Sequence, residues 1–405
     1  MKFSHIADCH IGGWRDPKLK VLNSLAFEKA VNLSIEQKVD FILIAGDLFN
    51  SALPGIDKLK EVIILFKKLK NLNIPVYLIA GSHDFSPSGK TMLDVIEEAD
   101  LCINVVKGQV DEESKKLKLN FTIDPKTGAK ITGMLGRRGM LEKSYYEELD
   151  RTNLENEEGF KIFMFHTALT ELKPKSLENM ESSPISLLPK NFDYYAGGHV
   201  HIVEKMDLVG YKNVVYPGPL FPNSFHELEE LLGGGFYIYD NGQIIRQEIM
   251  VKPIKKVSFN VKGKDPESVT GEIISELEKI ELDDALILLR IKGELDTGKI
   301  TQIDFRKIYE FVYSKNAYFI MRNTSSLSSK EYEEIKIQTK SSRIVEEELI
   351  NEHVGQIKVD EWDEGIEKSM IKTLMRSLST NKVDGEKVYE FEDRIKKEIN
   401  HILEL

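Results

Sequence analysis

The chain has 405 residues, 41% of them hydrophobic and 30% charged, with a formal net charge of −11; this suits a globular protein of two or three domains and excludes a disordered or basic-coated one. No uninterrupted apolar stretch approaches the roughly 18–20 residues that a bilayer span requires, and "MKFSHIADCH" enters a strand pattern at once, leaving no room for a signal peptide. Two cysteines, Cys9 and Cys102, make no disulfide framework, so a reducing cytoplasm is expected. Abundant Lys, Glu and Ile with sparse Cys and Gln suit a thermophile. The acidic balance leaves nucleic acid open as a partner, because salt screens charge over roughly 8 Å and local clusters outweigh the sum. Basic clusters at Lys115, Lys116 and Lys118, at Arg137–Arg138 and between Lys252 and Lys256 read as solvated patches rather than DNA contacts. The runs Glu147–Glu158, Glu227–Glu230 and Glu346–Glu367 carry much of the excess negative charge.

In chain order, "KFSHIAD", "DFILIAGD", "PVYLIAGSHD", "KIFMFH" and "YYAGGHVH" are apolar, β-branched or aromatic runs, each ending in Asp or His. Continuous runs of this kind form strands buried on both faces. Helical periodicity over 20–38 and 56–71 separates the first three, which predicts an α/β domain with a largely parallel or mixed sheet. "GFYIYDNGQIIRQEIM" is a β-hairpin with Asn241-Gly242 at its turn, and the first domain, 1–250, is expected to end there. Residues 251–330 alternate strand-like "KKVSFNVK", "ALILLRIKG" and "AYFIMRNT" with helical stretches near 267–280 and 302–314, a small β-α-β-α-β unit. The polar "NTSSLSSKEYEE" reads as the start of a linker, taken as 331–360. The tail, 361–405, holds two amphipathic helices. Ile366, Met370, Ile371, Leu374, Met375 and Leu378 share one face of the first; Val388, Phe391, Ile395, Ile399 and Ile402 share one face of the second.

The chemistry lies at the ends of the buried strands. Asp8 and His10 fall in "ADCHIGG", Asp47 in "AGDLFN", Ser82, His83 and Asp84 in "GSHD", His166 in "FHTAL", and His199 and His201 in "GGHVH". Functional groups of open α/β sheets gather at the carboxyl ends of strands. Singly, an Asp after a strand is a turn or cap residue and a lone His a satisfied core or surface group. In series, with five of nine histidines in these motifs, they read as one metal centre.

That series resembles the calcineurin-like metallophosphoesterase superfamily, which hydrolyses phosphate esters with two metals. "DCHIGG", "GDLFNSALP", "FHTAL" and "YPGPLFPNSF" resemble, more narrowly, the nuclease subunit of double-strand-break repair, the meiotic-recombination-eleven/SbcD family, in its archaeal branch. The resemblance spans essentially the whole chain. It implies a two-sheet sandwich flanked by helices, a small α+β capping domain and a helical segment that binds an SMC-like ABC ATPase through Ile366, Met370, Leu374, Leu378, Phe391, Ile395 and Ile399. It implies two Mn²⁺ per subunit, with Mg²⁺ as a weaker substitute: one held by Asp8, His10, Asp47 and His201, the other by Asp47, His166, His199 and residue 82, with Asp47 bridging. His83 would stabilise the transition state or protonate the leaving oxygen, and Asp84 would orient it. The family acts on double- and single-stranded DNA ends as a homodimer, implied here through helices near 56–71 and 91–99, in a cytoplasmic, nucleoid-associated setting.

Independently of the name, two divalent ions roughly 3.5–4 Å apart can acidify a water and neutralise the attacking and leaving oxygens at phosphorus, and mixed imidazole–carboxylate ligands favour a transition ion over magnesium. Position 82 departs from the family, which has asparagine there. A serine hydroxyl is shorter and a weaker ligand, so a loosened second site is expected, and with it slow cleavage or a non-catalytic DNA-end-binding role. A phosphatase is the further alternative, but no arginine follows Asp47 as in "GDxxDRG". "SPSGKT" at 86–91 is a loop entering a helix over 91–99 rather than a phosphate loop. Cys9 is expected to be a small buried residue, His5 a strand residue, His226 a helix cap rather than a DNA contact, and "GGG" at 233–235 a flexible turn.

Overall fold

The computed structural model of the chain describes residues 1–86, 91–137, 141–174, 177–178, 180–330, 364–380 and 388–403. The segment expected to be a linker, 331–360, Arg138, and residues 87–90 of "SPSGKT" lie outside these. The chain divides into two compact units, one of Met1–Asn260, Thr270–Lys292 and Asp304–Ser326, the other of Val261–Val269, Gly293–Ile303 and the described part of Leu327–Leu405.

The apolar runs become the middle of two six-stranded sheets in the first unit. In the first sheet β1 (Lys2–Ile6), β2 (Phe41–Ala45), β3 (Val76–Ile79) and β4 (Ile103–Asn104) run parallel, joined by α1 (Pro17–Glu36), α2 (Ile56–Asn71) and α3 (Met92–Glu98). The hairpin Gly234–Asp240 and Gln243–Ile249 closes the sheet antiparallel to β1. In the second sheet the strands Lys130–Gly133, Lys161–His166, Tyr194–Gly198 and Tyr211–Tyr216 are parallel, with antiparallel strands at both edges.

Period-2 alternation assigns each strand two faces, both apolar. Phe3, Phe41, Leu43, Ala45 and Tyr77 pack with Ile131, Ile162, Met164, Tyr194 and Ala196 between the sheets. Ile6, Ile42, Ile44, Val76 and Leu78 pack instead with Leu22, Phe27, Val62 and Phe66 of α1 and α2. Phe163, Phe165, Tyr195 and Val214 fill a third cluster on the far side of the second sheet. This is the α/β domain that the strand pattern predicted, in the two-sheet form flanked by helices that the family resemblance implied.

Beyond it, Ile254–Asn260, Leu286–Leu295 and Phe319–Ser329 form a three-stranded sheet, with helices Pro266–Leu277 and Phe305–Ser314 between successive strands. Arg290 of this sheet grips Glu229 of the helix Phe225–Leu231 with two parallel bonds, of 2.8 and 2.5 Å, and its guanidinium lies 5.3 Å from the Phe225 ring. Among the C-terminal residues, Glu364–Leu378 and Val388–Ile402 are helical, and Ser377 Oγ donates to Glu398 across the pair at 2.8 Å. Ile366 and Leu378 keep 45% and 63% of their surface exposed. No helix among the described residues is long and apolar enough to cross a membrane.

Three expectations need correction. "NTSSLSS" does not leave the fold but completes the strand Phe319–Ser329: on an edge strand one face is wet, and only Leu327 and Ser329 need burial. "GGG" is no loose turn, since Gly234 and Gly235 begin a strand, and a Cβ on Gly234 would sit 1.8 Å from the Leu220 carbonyl oxygen. His226 does not cap its helix. Ser224 does, accepting from Glu227 N at 3.1 Å, while His226 pairs with Glu230 at the surface. Cys9 is buried and His5 lies in β1, as expected, and Thr91 caps α3 through a reciprocal box with Asp94.

Phe3 tests the inter-sheet packing. It stacks on Phe41 and Tyr239, with centroids 5.0 and 4.7 Å away, and meets Tyr194 edge-on at 5.1 Å. Phe3→Ala is expected to lower unfolding free energy by about 3–5 kcal/mol, as for other buried aromatic truncations, measured by urea denaturation.

Candidate metal centre

Parallel strands within each sheet bring the chemistry-bearing ends to one edge. β1 delivers Asp8 and His10, β2 Asp47, β3 Ser82, His83 and Asp84, and the strands Lys161–His166 and Tyr194–Gly198 deliver His166, His199 and His201. Beyond their last residues β1 and β2 stay joined, His10 N bonding Asp47 O at 2.9 Å and Ile11 N bonding Leu48 O at 3.0 Å. Asp8, His10, Asp47, His199 and His201 all have positive φ, of 49, 44, 51, 100 and 54°. Asp and His tolerate that region better than most side chains, yet each such residue still costs of order 1–3 kcal/mol and persists only where its surroundings over-determine it. Five of the residues that carry donor atoms thus sit in left-handed backbone.

Donor atoms converge in three overlapping groups, each within 4.8 Å: Asp8, His10 and His201; Asp8, Asp47 and His166; His10, Asp47 and His83. His10 Nε2 and His201 Nε2 face each other at 2.9 Å. Asp47 Oδ2 lies 3.2 Å from His166 Nε2 and 3.7 Å from His10 Nε2. His166 Nδ1 lies 2.8 Å from the Ala45 carbonyl, which can only accept, so Nδ1 carries a hydrogen and Nε2 is the nitrogen turned toward Asp47. His199 sits slightly apart. Its ring is 5.1 Å from that of His166, and its backbone N–H donates to Asp8 at 2.9 Å. The Ser82 hydroxyl is buried and reaches Asp47 Oδ2 at 3.4 Å. Gly81 makes this approach possible, because a Cβ there would fall 2.2 Å from Asp47 Oδ1.

His83 and Asp84 part company. The His83 backbone N–H donates to Asp47 Oδ1 at 2.7 Å, and its ring Nδ1 lies 3.0 Å from the Asn50 carbonyl. Asp84 does not orient that ring, contrary to expectation. Its buried carboxylate accepts from Leu48 N, Phe49 N and Gly81 N at 3.0–3.1 Å, tying the loop after β2 to the loop after β3. Asn50 takes the orienting position.

Electrostatics follow from near-complete burial. Burial, helped by neighbouring imidazoles, pushes His10 and His199 down to about 3, and burial raises the Asp8 carboxyl. For His166 burial acts downward too, but the charge and hydrogen bond of Asp47 outweigh it and lift the imidazole to about 10. For Asp47 burial acts upward and is outweighed in turn by the charge and hydrogen bond of His166, then by His10, which hold its carboxyl well below the usual range. Burial of His201 is overcome by Glu227 and Asp8, so it is raised.

Glu227 was not singled out by sequence. Its carboxylate lies 3.2 Å from His201 Nδ1 and accepts from Asn223 N at 2.9 Å, a carboxylate–imidazole arrangement typical of the support behind a metal-binding histidine. Within an acidic run it looked like surface charge. The available signal was Ser224-x-x-Glu227, a capping-box spacing. The donor set fits a divalent cation: two buried carboxylates, Asp8 and Asp47, and the imidazole nitrogens of His10, His166 and His201 converge within ligand reach of one another.

Fold and cluster together are those of a phosphoesterase. The profile of the calcineurin-like phosphoesterases matches residues 1–203, and the chain belongs to that family. It is similar to three archaeal proteins, each named DNA double-strand break repair protein Mre11. With that of Archaeoglobus fulgidus it is 26% identical, over 86% of this chain and 79% of the relative. With that of Thermoplasma acidophilum it is 27% identical, over 77% and 82%. With that of Methanocaldococcus jannaschii it is 24% identical, over 86% and 93%.

Glu227→Gln is expected to weaken Mn²⁺ binding about 10–100-fold in calorimetric titration. Binding by both forms should weaken as pH falls from about 8 to about 6, because the imidazoles must shed protons to coordinate and His166 and His201 hold theirs above the usual range. Binding indifferent to pH would remove these histidines from the ligand set.

Proposed function

We propose that the chain is a manganese-dependent DNA nuclease, a 3′–5′ double-strand exonuclease and single-strand endonuclease, working in double-strand-break repair with an SMC-like ATPase. The observation that carries the reading is the convergence of Asp8, His10, Asp47, His166 and His201 at one edge of the two sheets. The names of the archaeal relatives supply the substrate class. Asp8, His10, Asp47 and His201 would hold one ion; Asp47, His166 and His199, with Ser82 beside them, would hold the other. Bound ions would supply charge neutralisation at the phosphodiester and an activated water.

The chain's own groups do the rest. Asp47, accepting from His83 N, fixes His83 beside the cluster. Asn50 O takes the Nδ1 hydrogen, so Nε2 is the atom that exchanges a proton with the leaving oxygen. Asp84 holds the two loops in register. Residues near 251–330 would cap the nuclease domain, and the C-terminal helices would bind the ATPase through Ile366, Met370, Leu374, Leu378, Phe391, Ile395 and Ile399. A homodimer through α2 and α3 is supported by the exposure of Ile56, Ile64 and Val95, 85%, 56% and 52%. A cytoplasmic, nucleoid-associated location accords with these partners.

A second reading, an attenuated DNA-end-binding subunit, is favoured by one contact. The Ser82 hydroxyl bonds Asp47, and a neutral alcohol so engaged is a poor ligand. Degradation of linear duplex and circular single-stranded DNA with Mn²⁺ decides between them, with Asp8→Asn as the inactive control. Ser82→Asn is expected to raise the rate about tenfold or more, equivalent to about 1.4 kcal/mol of barrier. Equal rates would show that Ser82 serves the second metal adequately, and no cleavage by either form with the ATPase present would favour the end-binding role.

Leu374→Asp is expected to abolish co-purification with the ATPase while the isolated chain keeps its manganese-dependent activity. Undiminished co-purification would count against the tail as the partner site.

A further inference from the structure

Next to His83 lies a pocket of about 380 Å³, walled by Phe85 and Arg137 and rimmed by Leu53 and Leu141. Leu53 and Leu141 keep 67% and 58% of their surface exposed, so the mouth is apolar and open. The Arg137 guanidinium is 4.6 Å from the Phe85 ring centroid and 5.5 Å from that of Tyr145, whose hydroxyl accepts from Nη1 at 2.7 Å. Its backbone N–H donates to Glu142, a fully buried carboxylate that Thr167 Oγ1 also contacts at 2.9 Å. Arginine is thus fixed at its backbone, by the Tyr145 hydroxyl and against two rings. Its Nε is buried with no hydrogen-bond partner among the described residues.

This arrangement selects a ligand class. With two rings against it and Nη1 engaged, the guanidinium retains the Nε side of its fork. That side grips planar or tetrahedral oxyanions with paired bonds. A buried N–H left without an acceptor is costly in the free protein and becomes favourable once an acceptor arrives. The neighbouring apolar rim suits a base, since bases stack on aromatic and apolar surfaces whatever their sequence. A cation with an apolar shelf, beside the residue that faces the leaving oxygen, matches a nucleotide unit rather than an isolated phosphate.

Resting on the phosphodiesterase reading above, we infer that this pocket binds the nucleotide flanking the scissile phosphodiester of a DNA strand, with Arg137 on its phosphate and Phe85, Leu53 and Leu141 against its base. Arg137 then supplies, from the loop after the strand Lys130–Gly133, the phosphate-gripping arginine that is missing after Asp47.

The test compares the full chain with Arg137→Ala and with Arg137→Lys, which keeps the charge and removes the fork. Anisotropy of a labelled short single-stranded oligonucleotide is read on the metal-free chain. Mn²⁺-dependent kinetics are read on the same oligonucleotide and on bis(p-nitrophenyl) phosphate, a diester with no flanking phosphate for Arg137 to grip. Arg137→Ala should weaken binding about tenfold and raise the oligonucleotide KM, its loss in kcat/KM exceeding that on the small diester about tenfold, and Arg137→Lys should recover only part. Equal losses on both substrates, or binding within about twofold of the unaltered chain, would overturn the assignment. Should the unaltered chain hydrolyse neither substrate, the nuclease reading fails, while the metal-free binding comparison still decides the pocket.

Discussion

Everything at the catalytic edge depends on keeping one carboxylate charged where water does not reach. Asp47 is 2% exposed, and an ionised group in such surroundings is untenable without donors and counter-charge. The fold supplies them from different directions: a backbone N–H from the third strand's loop, a hydroxyl from the same loop, and imidazoles from both sheets. No single strand could do so. The requirement explains why two sheets must meet at this edge and why their loops follow such strained paths.

Meeting that requirement leaves the cluster unbalanced. His10 and His201 point nitrogens at each other at 2.9 Å, an arrangement in which at most one proton or one cation can lie between them. Two carboxylates share the same space. The protein alone resolves this by placing protons on some groups and removing them from others, as the opposite shifts of His10 and His166 show. A bound divalent ion would take the place of those protons, and its binding energy would then count as folding energy at this edge.

The sheets and the motif series were legible because buried parallel strands leave continuous apolar runs, and because Asp or His at every run's end is an unusual punctuation. What stayed hidden depends on the path of the chain after the strands. The role of Asp84 could not be read, because its partners are backbone N–H groups of Leu48, Phe49 and Gly81, which every sequence possesses. Glu227 was masked by the acidic residues around it. Arg137 looked like a surface charge until Phe85, 52 positions earlier in the numbering, proved to lie against it. Polar "NTSSLSS" misled because an edge strand needs only alternate residues inside.

The helix Phe225–Leu231 carries two carboxylates with different duties. Glu227 steadies His201 within the donor cluster, and Glu229, two residues on, is clasped by Arg290 of the three-stranded sheet. Being under two turns long, this helix has little capacity to bend between those attachments. Two attachments two residues apart therefore hold the same short length of backbone, His201 at one and Arg290 at the other. The three-stranded sheet and the donor cluster are thus pinned to one peg, a helix of seven residues, and neither can be repacked without regard to the other.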